Sequence, residues 1–344
     1  MIKLLIVDDS ALMRRQLSSV FEEQGDFEIR LAFNGKEAVE ENTRFQPDVV
    51  TLDINMPEMD GLTALSLIMA ERPVPVVMVS SLTEKGALAT FEALALGAVD
   101  YIAKPDGTIS LSMDNVKKEL VSKIRMAAKS HVKSARVIPL ISPPVQNIIR
   151  RGVHSDGIVL IGVSTGGPRT LEEILPLFPA NFPYPILVAQ HMPASFTLQF
   201  AARMNQLCAL QVVEVSSPRP IEAGFVYIGK GGADLVIVKR SEKLTVISKP
   251  ENKGFLWHPS VELLGRSALE HYEASKIIGV ILTGMGNDGS DSFTKIKKQG
   301  GRTIAESEAS CVVFGMPAEL IAKNGATTIL AADKVTERIL TWAR

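Results

Sequence analysis

Short apolar runs alternate with longer amphipathic stretches along the first 130 residues. The runs have the length of buried strands, and the stretches between them repeat apolar residues at helical spacing, as Met13, Leu17 and Val20 do after the potential cap Ser10. This alternation is typical of βα units on a parallel sheet. We therefore predict five strands, each followed by a helix, at residues 4–7, 29–32, 49–52, 74–79 and 101–103.

The pattern breaks at residues 131–155, where Pro139, Pro143, Pro144 and Gly152 replace any apolar periodicity. Strand-like runs resume at residues 158–163, 186–189, 277–282 and 303–305. We predict a flavodoxin-like (βα)5 domain at 1–130, a linker at 131–155 and a second doubly wound, mostly parallel α/β domain at 156–344. Within it, three short runs between residues 225 and 248 predict a small antiparallel insert.

The bulk composition narrows the function classes. A length of 344 residues favours two domains, and no apolar run approaches the roughly 18 residues of a membrane span. With 37 basic and 38 acidic residues there is no general field for a polyanion, so nucleic acid is not an expected partner. Cys208 and Cys311 are too few and too far apart for a disulfide framework. Carboxylates at positions 8 and 9 come too early for a signal peptide, so a cytoplasmic protein is expected.

Charged and hydroxyl side chains collect at the predicted strand ends of the first domain. Asp8 and Asp9 follow the first strand, Asp53 the third, Ser80 the fourth and Lys104 the fifth. In a parallel sheet these ends share one edge, where ligands bind. Three carboxylates there would attract Mg²⁺, and the site would suit phosphoryl transfer onto a carboxylate. Each residue alone would also fit a helix cap, a turn or a loop end.

A serine begins the predicted strand-to-helix turn after residues 158–163. Ser164 is followed by Thr165, Gly166, Gly167 and Pro168, so backbone N–H groups at the helix start could stabilise an oxyanion. Residues 162–166 also match the G-x-S-x-G pattern of nucleophile turns. A phosphate-binding glycine turn fits the loop nearly as well.

Two further residues could complete a proton-transfer set with Ser164. His191 ends the next predicted strand, beside Ser164 if successive strands pair, and His258 is the one rival among the five histidines. Asp288 lies on a glycine-rich loop after residues 277–282, although Asp-Gly is also a common turn. The chain order Ser, His, Asp excludes the α/β-hydrolase fold, whose order is Ser, Asp, His.

The first domain resembles the response-regulator receiver family. The matching segments are residues 5–10 (LIVDDS), 53–61 (DINMPEMDG), 80–81 (SS) and 104–105 (KP). The resemblance implies that Asp53 accepts a phosphoryl group from a histidine kinase and that Lys104 pairs with the phosphoryl oxygens. Ser80 and Tyr101 would occupy the switch positions. The implied Mg²⁺ ligands are three carboxylates and one backbone carbonyl: Asp8, Asp9, Asp53 and the carbonyl of Asn55.

The second domain is similar to the chemotaxis protein-glutamate methylesterase family. The matching segments are residues 162–168 (GVSTGGP), 190–193 (QHMP), 282–289 (LTGMGNDG) and 314–317 (FGMP). The resemblance implies that Ser164 attacks, His191 moves its proton and Asp288 orients His191. The Met285 N–H would donate a hydrogen bond to the oxyanion, and Thr165 would be a neighbouring active-site residue.

The two resemblances together imply a phosphorylation-activated hydrolase. It would remove γ-methyl esters from chemoreceptor glutamates, release methanol and also deamidate receptor glutamines. Expected partners are a chemotaxis histidine kinase and methylated receptors, with membrane contact only through receptors. We expect a monomer, Mg²⁺ in the receiver and no cofactor in the hydrolase domain.

Two other function classes stay open at this point. A phosphorylation-dependent adaptor would bind a partner through the second domain without catalysis. A DNA-binding response regulator is disfavoured because the second half has no basic recognition helix.

Overall fold

The chain forms two compact units, Met1–Pro139 and Leu140–Arg344. The structure is a computed structural model and describes residues 1–80, 84–104, 113–130 and 155–343. All but the last residue of the predicted linker 131–155 lies outside the described residues. The exact domain limits therefore stay a prediction.

The first unit is the predicted five-stranded α/β domain. All strands are parallel, in the order β2-β1-β3-β4-β5. Its strands and helices alternate along the chain: β1 (Ile2–Val7), α1 (Ala11–Glu22), β2 (Phe27–Ala32), α2 (Gly35–Phe45), β3 (Val49–Asp53), α3 (Gly61–Glu71), β4 (Val76–Ser80), α4 (Glu84–Leu96), β5 (Asp100–Ala103) and α5 (Met113–Ala127). As predicted, the Ser10 hydroxyl caps α1 by accepting the Met13 N–H at 3.3 Å.

The second unit is built on a seven-stranded sheet in the order β15-β14-β13-β6-β7-β10-β8, with every neighbouring pair parallel. Its strands are β6 (Ile158–Val163), β7 (Ile186–Gln190), β8 (Gln211–Val215), β9 (Arg219–Pro220), β10 (Phe225–Gly229), β11 (Ala233–Arg240), β12 (Lys243–Pro250), β13 (Ile277–Ile281), β14 (Arg302–Glu306) and β15 (Thr328–Leu330). Its α-helices are α6 (Gly167–Ile174), α7 (Ala194–Leu207), α8 (Val261–His271), α9 (Ser290–Lys298), α10 (Met316–Ala322) and α11 (Ala332–Trp342).

The small antiparallel sheet has the predicted number of strands, three, but one of them is not the predicted one. Strands β11 and β12 form a hairpin, and β9 adds to β12. The first of the three predicted runs, β10, instead joins the main sheet in parallel between β7 and β8. A short apolar run in the sequence indicates a buried strand but does not indicate which strands it pairs with.

Both main sheets bring distant segments to one carboxyl edge. In the second unit Gly162 pairs with Ile281 and Val163 with Gln190, so the residues after β13, β6 and β7 emerge side by side. In the first unit Val7 pairs with Leu52, which places the ends of β1 and β3 together. Within the described residues, no helix combines the length and apolar character that crossing a membrane requires.

Candidate functional site

An acidic pocket lies where β1 and β3 end in the first unit. Asp8 and Asp53 are buried and Asp9 is exposed, and one carboxylate oxygen from each lies within 4.8 Å of the others. The Lys104 Nζ lies 2.9 Å from Asp8 Oδ2 and 2.8 Å from Asp53 Oδ2. The sequence-predicted phosphoacceptor, acidic residues and lysine are therefore brought together.

The charges in this pocket do not balance. Burial raises the pKa of Asp53 and the Asp8 charge adds to that rise, although Lys104 opposes both. Burial lowers the pKa of Lys104, but its hydrogen bonds to Asp53 and Asp8 outweigh burial and leave that pKa raised. Among the residues that the structure describes, the Lys104 ammonium pairs with Asp8 and Asp53, and Asp9 adds a third carboxylate. An excess of hard oxygen ligands and negative charge fits Mg²⁺.

The other predicted receiver residues lie on or directly after β3, β4 and β5. Asn55 is exposed in the loop after β3. Ser80 is the last residue of β4, and its side chain lies outside the described part of the structure. Tyr101 is buried in β5, with the Lys123 Nζ 5.5 Å from its ring centre.

Glycine 61 shapes the loop that carries Asp53. Its N–H donates to the Ile54 carbonyl at 2.8 Å, which folds the loop back onto the end of β3. A methyl group at Gly61 would lie 2.0 Å from the Asp53 carbonyl oxygen. Only glycine permits this approach, and the sequence pattern had suggested no more than a turn here.

In the second unit Ser164 and His191 lie at the ends of the adjacent strands β6 and β7. The His191 N–H donates to the Val163 carbonyl at 3.0 Å. The buried Gln190 amide donates to the Ser164 carbonyl at 2.9 Å and to the His191 carbonyl at 3.0 Å. Gln190 therefore links the turn after β6 to the turn after β7 by hydrogen bonds, a role that the sequence pattern did not indicate.

Asp288 pairs with His191 and also accepts hydrogen bonds from the start of α8. The His191 Nε2 lies 2.9 Å from Asp288 Oδ2. The same carboxylate accepts the N–H groups of Val261 at 2.7 Å and Glu262 at 2.9 Å, and the Ser260 hydroxyl at 3.1 Å. Helix N-termini favour negative charge, so this position suits an ionised carboxylate.

The surroundings of Asp288 keep it charged. Burial alone would raise its pKa, but the hydrogen bond and charge of His191 and the two backbone N–H groups outweigh burial and lower the pKa. With Nε2 directed at Asp288, Nδ1 is the other nitrogen of His191. It is buried and has no hydrogen-bond partner among the described residues. In this structure Nδ1 is therefore not hydrogen-bonded to the Ser164 hydroxyl, although the two residues follow adjacent strands.

The glycine-rich loop after β13 passes directly beside Ser164. The Ser164 N–H donates to the Thr283 carbonyl at 3.0 Å, and a methyl group at Gly284 would lie 2.6 Å from Ser164 Cβ. The Thr283 hydroxyl donates to the Thr165 carbonyl at 2.9 Å. Met285 is the next residue of this loop after Gly284, which lies against Ser164.

A buried carboxylate supports this loop through a hydrogen bond. The Glu306 carboxylate accepts the Thr283 N–H at 2.8 Å, and Glu306 is fully buried. The rival histidine, His258, is engaged elsewhere because its Nδ1 lies 2.8 Å from Asp234 Oδ1. The structure therefore groups Ser164, His191 and Asp288 and assigns His258 to another pair.

The fold and these sites define a two-domain α/β protein that joins a receiver-type acidic pocket to a serine, histidine and aspartate cluster. Comparison with known families gives the same two-part division. Residues 4–112 match the response regulator receiver domain and residues 159–339 match the CheB methylesterase family. The chain belongs to the CheB methylesterase family, with an N-terminal receiver domain.

Relatives resemble the chain over nearly its whole length. A protein-glutamate methylesterase/protein-glutamine glutaminase of Rhodospirillum rubrum is 51% identical, covering 99% of this chain and 96% of its own. One from Rhodopseudomonas palustris is 49% identical, with coverages of 99% and 98%. The crystal structure of the Thermotoga maritima CheB methylesterase catalytic domain is 41% identical with a TM-score of 0.52, covering 55% of this chain and 99% of that one.

Proposed function

We propose that this chain is a phosphorylation-activated serine hydrolase that demethylates glutamate γ-methyl esters on chemoreceptors and deamidates receptor glutamines. The observation that carries the proposal is the 2.9 Å pair of His191 with a buried, ionised Asp288, beside Ser164 at the sheet edge. The names of the relatives, protein-glutamate methylesterase/protein-glutamine glutaminase, support the same substrates.

The proposed reaction follows the serine hydrolase scheme. Ser164 Oγ attacks the ester carbonyl carbon while His191 Nδ1 takes its proton, and Asp288 holds the imidazole and its positive charge. His191 then gives that proton to the departing methoxide, which leaves as methanol. Water, deprotonated by His191, hydrolyses the glutamyl-serine ester and restores the carboxylate and the Ser164 hydroxyl.

The negative charge that forms on the carbonyl oxygen needs donors close to Ser164. We assign this role to the Met285 N–H, with Thr165 as a neighbouring group, because of the family resemblance and because the two residues follow Gly284 and Ser164, which lie against each other. Preorganised donors of this kind stabilise the transition state more than the substrate.

In the receiver domain Asp53 is the proposed phosphoacceptor, and a chemotaxis histidine kinase the donor. Asp8, Asp9, Asp53 and the Asn55 carbonyl would hold Mg²⁺, which when bound neutralises charge on the transferring phosphoryl group. Lys104 would then pair with the phosphoryl oxygens, and Ser80 and Tyr101 would respond to them as switch residues. We further propose that the domains span 1–130 and 156–344, joined by the linker 131–155, and that the protein acts as a cytoplasmic monomer.

One assay tests both halves of the proposal. Membranes carrying methylated receptors are incubated with the full chain, with and without a small phosphodonor and Mg²⁺, and methanol release is measured. We expect slow release without the phosphodonor and faster release with it. No methanol under either condition would favour the phosphorylation-dependent adaptor.

A further inference from the structure

A tryptophan outside the Ser164, His191 and Asp288 cluster covers the histidine ring. The ring centres of Trp257 and His191 are 5.6 Å apart and their planes differ by 5°. This is an offset parallel stack at an ordinary distance for aromatic pairs. Trp257 is half-buried, so it forms part of the wall of the site.

The same indole also touches the glycine-rich loop that carries Asp288. A methyl group at Gly286 would lie 2.5 Å from the indole Cη2, which means that the ring rests against the Gly286 backbone. Gly286 follows Met285 directly and precedes Asp288 by two residues. Trp257 therefore lies against both the imidazole and the loop that supplies its carboxylate partner.

A buried carboxylate fixes the segment that presents the indole. Asp234 accepts the Asn252 N–H at 2.8 Å, the Ser260 N–H at 3.0 Å and, from Nδ1 of His258, a hydrogen bond at 2.8 Å. These donors lie on both sides of Trp257 in the chain. Hydrogen bonds to Asp234 therefore fix the chain on both sides of Trp257, and this fixes the position of the indole over His191.

We propose that Trp257 is a positioning residue for the esterase reaction. Its face fixes the plane of the His191 ring, so that Nδ1 stays available to Ser164 while Nε2 stays on Asp288. When Ser164 Oγ bonds to the carbonyl carbon and its proton moves to Nδ1, the imidazole becomes a cation within reach of the indole π face. The inference deepens the proposed function and rests on it.

The first test compares aromatic and aliphatic replacements. Trp257→Leu should lower kcat for methyl ester hydrolysis about tenfold with little change in KM, because both the cation–π contact and the alignment are lost. Trp257→Phe should stay within about threefold of wild type, since it keeps an aromatic face. Trp342→Phe is the matched control: it removes the other tryptophan of the chain, at the end of α11, and should leave kcat unchanged.

A second measurement detects the contact without using activity. In the Trp342→Phe background Trp257 is the sole tryptophan, and its fluorescence should rise when His191→Ala removes the stacked imidazole. Thermal unfolding curves check that each variant is folded. The inference is overturned if Trp257→Leu folds and retains wild-type kcat, or if His191→Ala leaves the fluorescence of Trp257 unchanged. If the wild-type chain releases no methanol, the proposed function fails and this inference fails with it.

Discussion

Asp53 and Asp288 are both buried aspartates at the carboxyl edge of a parallel sheet, yet their surroundings shift their pKa values in opposite directions. Asp53 shares its pocket with Asp8 and Asp9 and with one ammonium group. Asp288 has three N–H or O–H donors from the start of α8 and a histidine. The comparison shows that burial alone does not set the direction of a carboxylate's pKa shift, because the hydrogen-bond donors and charges around the group can outweigh burial.

The two sites nevertheless occupy the same place in their folds. In each sheet the strand order reverses beside a central strand, β1 in the first unit and β6 in the second. Crevices open at such reversals because the flanking helices lie on opposite faces. One geometry thus offers a pocket that can hold a cation and phosphate in one unit and a proton-transfer cluster in the other.

The largest expected effect comes from removing the proposed nucleophile. Ser164→Ala should lower the rate of methanol release by about 10⁶-fold, because no other group can form the acyl-enzyme. Phosphorylation of Asp53, followed by phosphate-affinity gel, should be unchanged. The exposed Ser217→Ala is the matched control, and an active Ser164→Ala enzyme would refute the nucleophile assignment.

The next largest effect concerns the carboxylate partner of His191. Asp288→Asn should reduce kcat by about 10⁴-fold, since an amide can neither hold the required tautomer nor stabilise the imidazolium. Steady-state methanol release measures it. Asp291→Asn, three residues further on and mostly exposed, should behave as wild type. Equal losses in both variants would argue against a specific role for Asp288.

A smaller effect is expected in the receiver domain. Asp53→Ala should leave basal esterase activity and abolish its activation by a small phosphodonor, a change on the order of tenfold for typical coupling between sites. Rates with and without phosphodonor and Mg²⁺ measure it. Glu71→Ala, an exposed acidic position at the end of α3, should retain activation. Normal activation of Asp53→Ala would contradict the proposed coupling.

The lowered pKa of Asp288 predicts a pH-dependent contribution to stability. A carboxylate stabilised in the folded state contributes fully above its unfolded pKa, near 4, and loses that contribution as the pH falls through the lower folded value. At pH 7 Asp288→Asn should therefore lower the free energy of unfolding by about 1–3 kcal/mol. Urea denaturation followed by tryptophan fluorescence reports on this unit, which contains both tryptophans. A difference that does not shrink below pH 4 would count against this account.

Asp53 should show the opposite sign and the smallest effect. Because its folded pKa is raised, the folded state disfavours its ionised form, and that penalty appears as the pH rises through the folded value. In metal-free buffer Asp53→Asn should raise the unfolding temperature of the first unit at neutral pH, and the gain should fade towards acid pH. Scanning calorimetry with a chelator measures it, and Mg²⁺ should restore the wild type more than the variant. If Asp53→Asn instead lowers the unfolding temperature in metal-free buffer, the proposed contrast between Asp53 and Asp288 is wrong.

Much of the fold followed from apolar periodicity. The nine strands predicted outside the insert all occur, with ends that agree to within about two residues, because buried parallel strands are continuous apolar runs. Strands β8, β9 and β15 were not predicted. β9 and β15 have two and three residues and none of them is buried, while β8 begins with an exposed residue and lacks a continuous buried run, so their sequence pattern is weak.

The candidate sites were predictable where a residue ends a strand and not where it reaches the site from elsewhere. Ser164 and His191 follow directly from the ends of β6 and β7. Three contacts were not predicted: the hydrogen bonds from the start of α8 to Asp288, those from the Gln190 amide to the Ser164 and His191 carbonyls, and the stacking of Trp257 on His191. Each depends on a contact between segments that are far apart in the chain or on the direction of a side chain, and neither leaves a periodic signal.

The order of residues along the chain was enough to determine two α/β domains, the strand ends and the chemical types gathered there, because strand and helix periods are local properties. Tertiary structure alone decided which sheet β10 joins, which histidine meets Asp288 and which of the two buried aspartates has a lowered pKa. The physical reason is that pairing, burial and electrostatic balance depend on every group packed around a residue, and those groups come from distant parts of the chain.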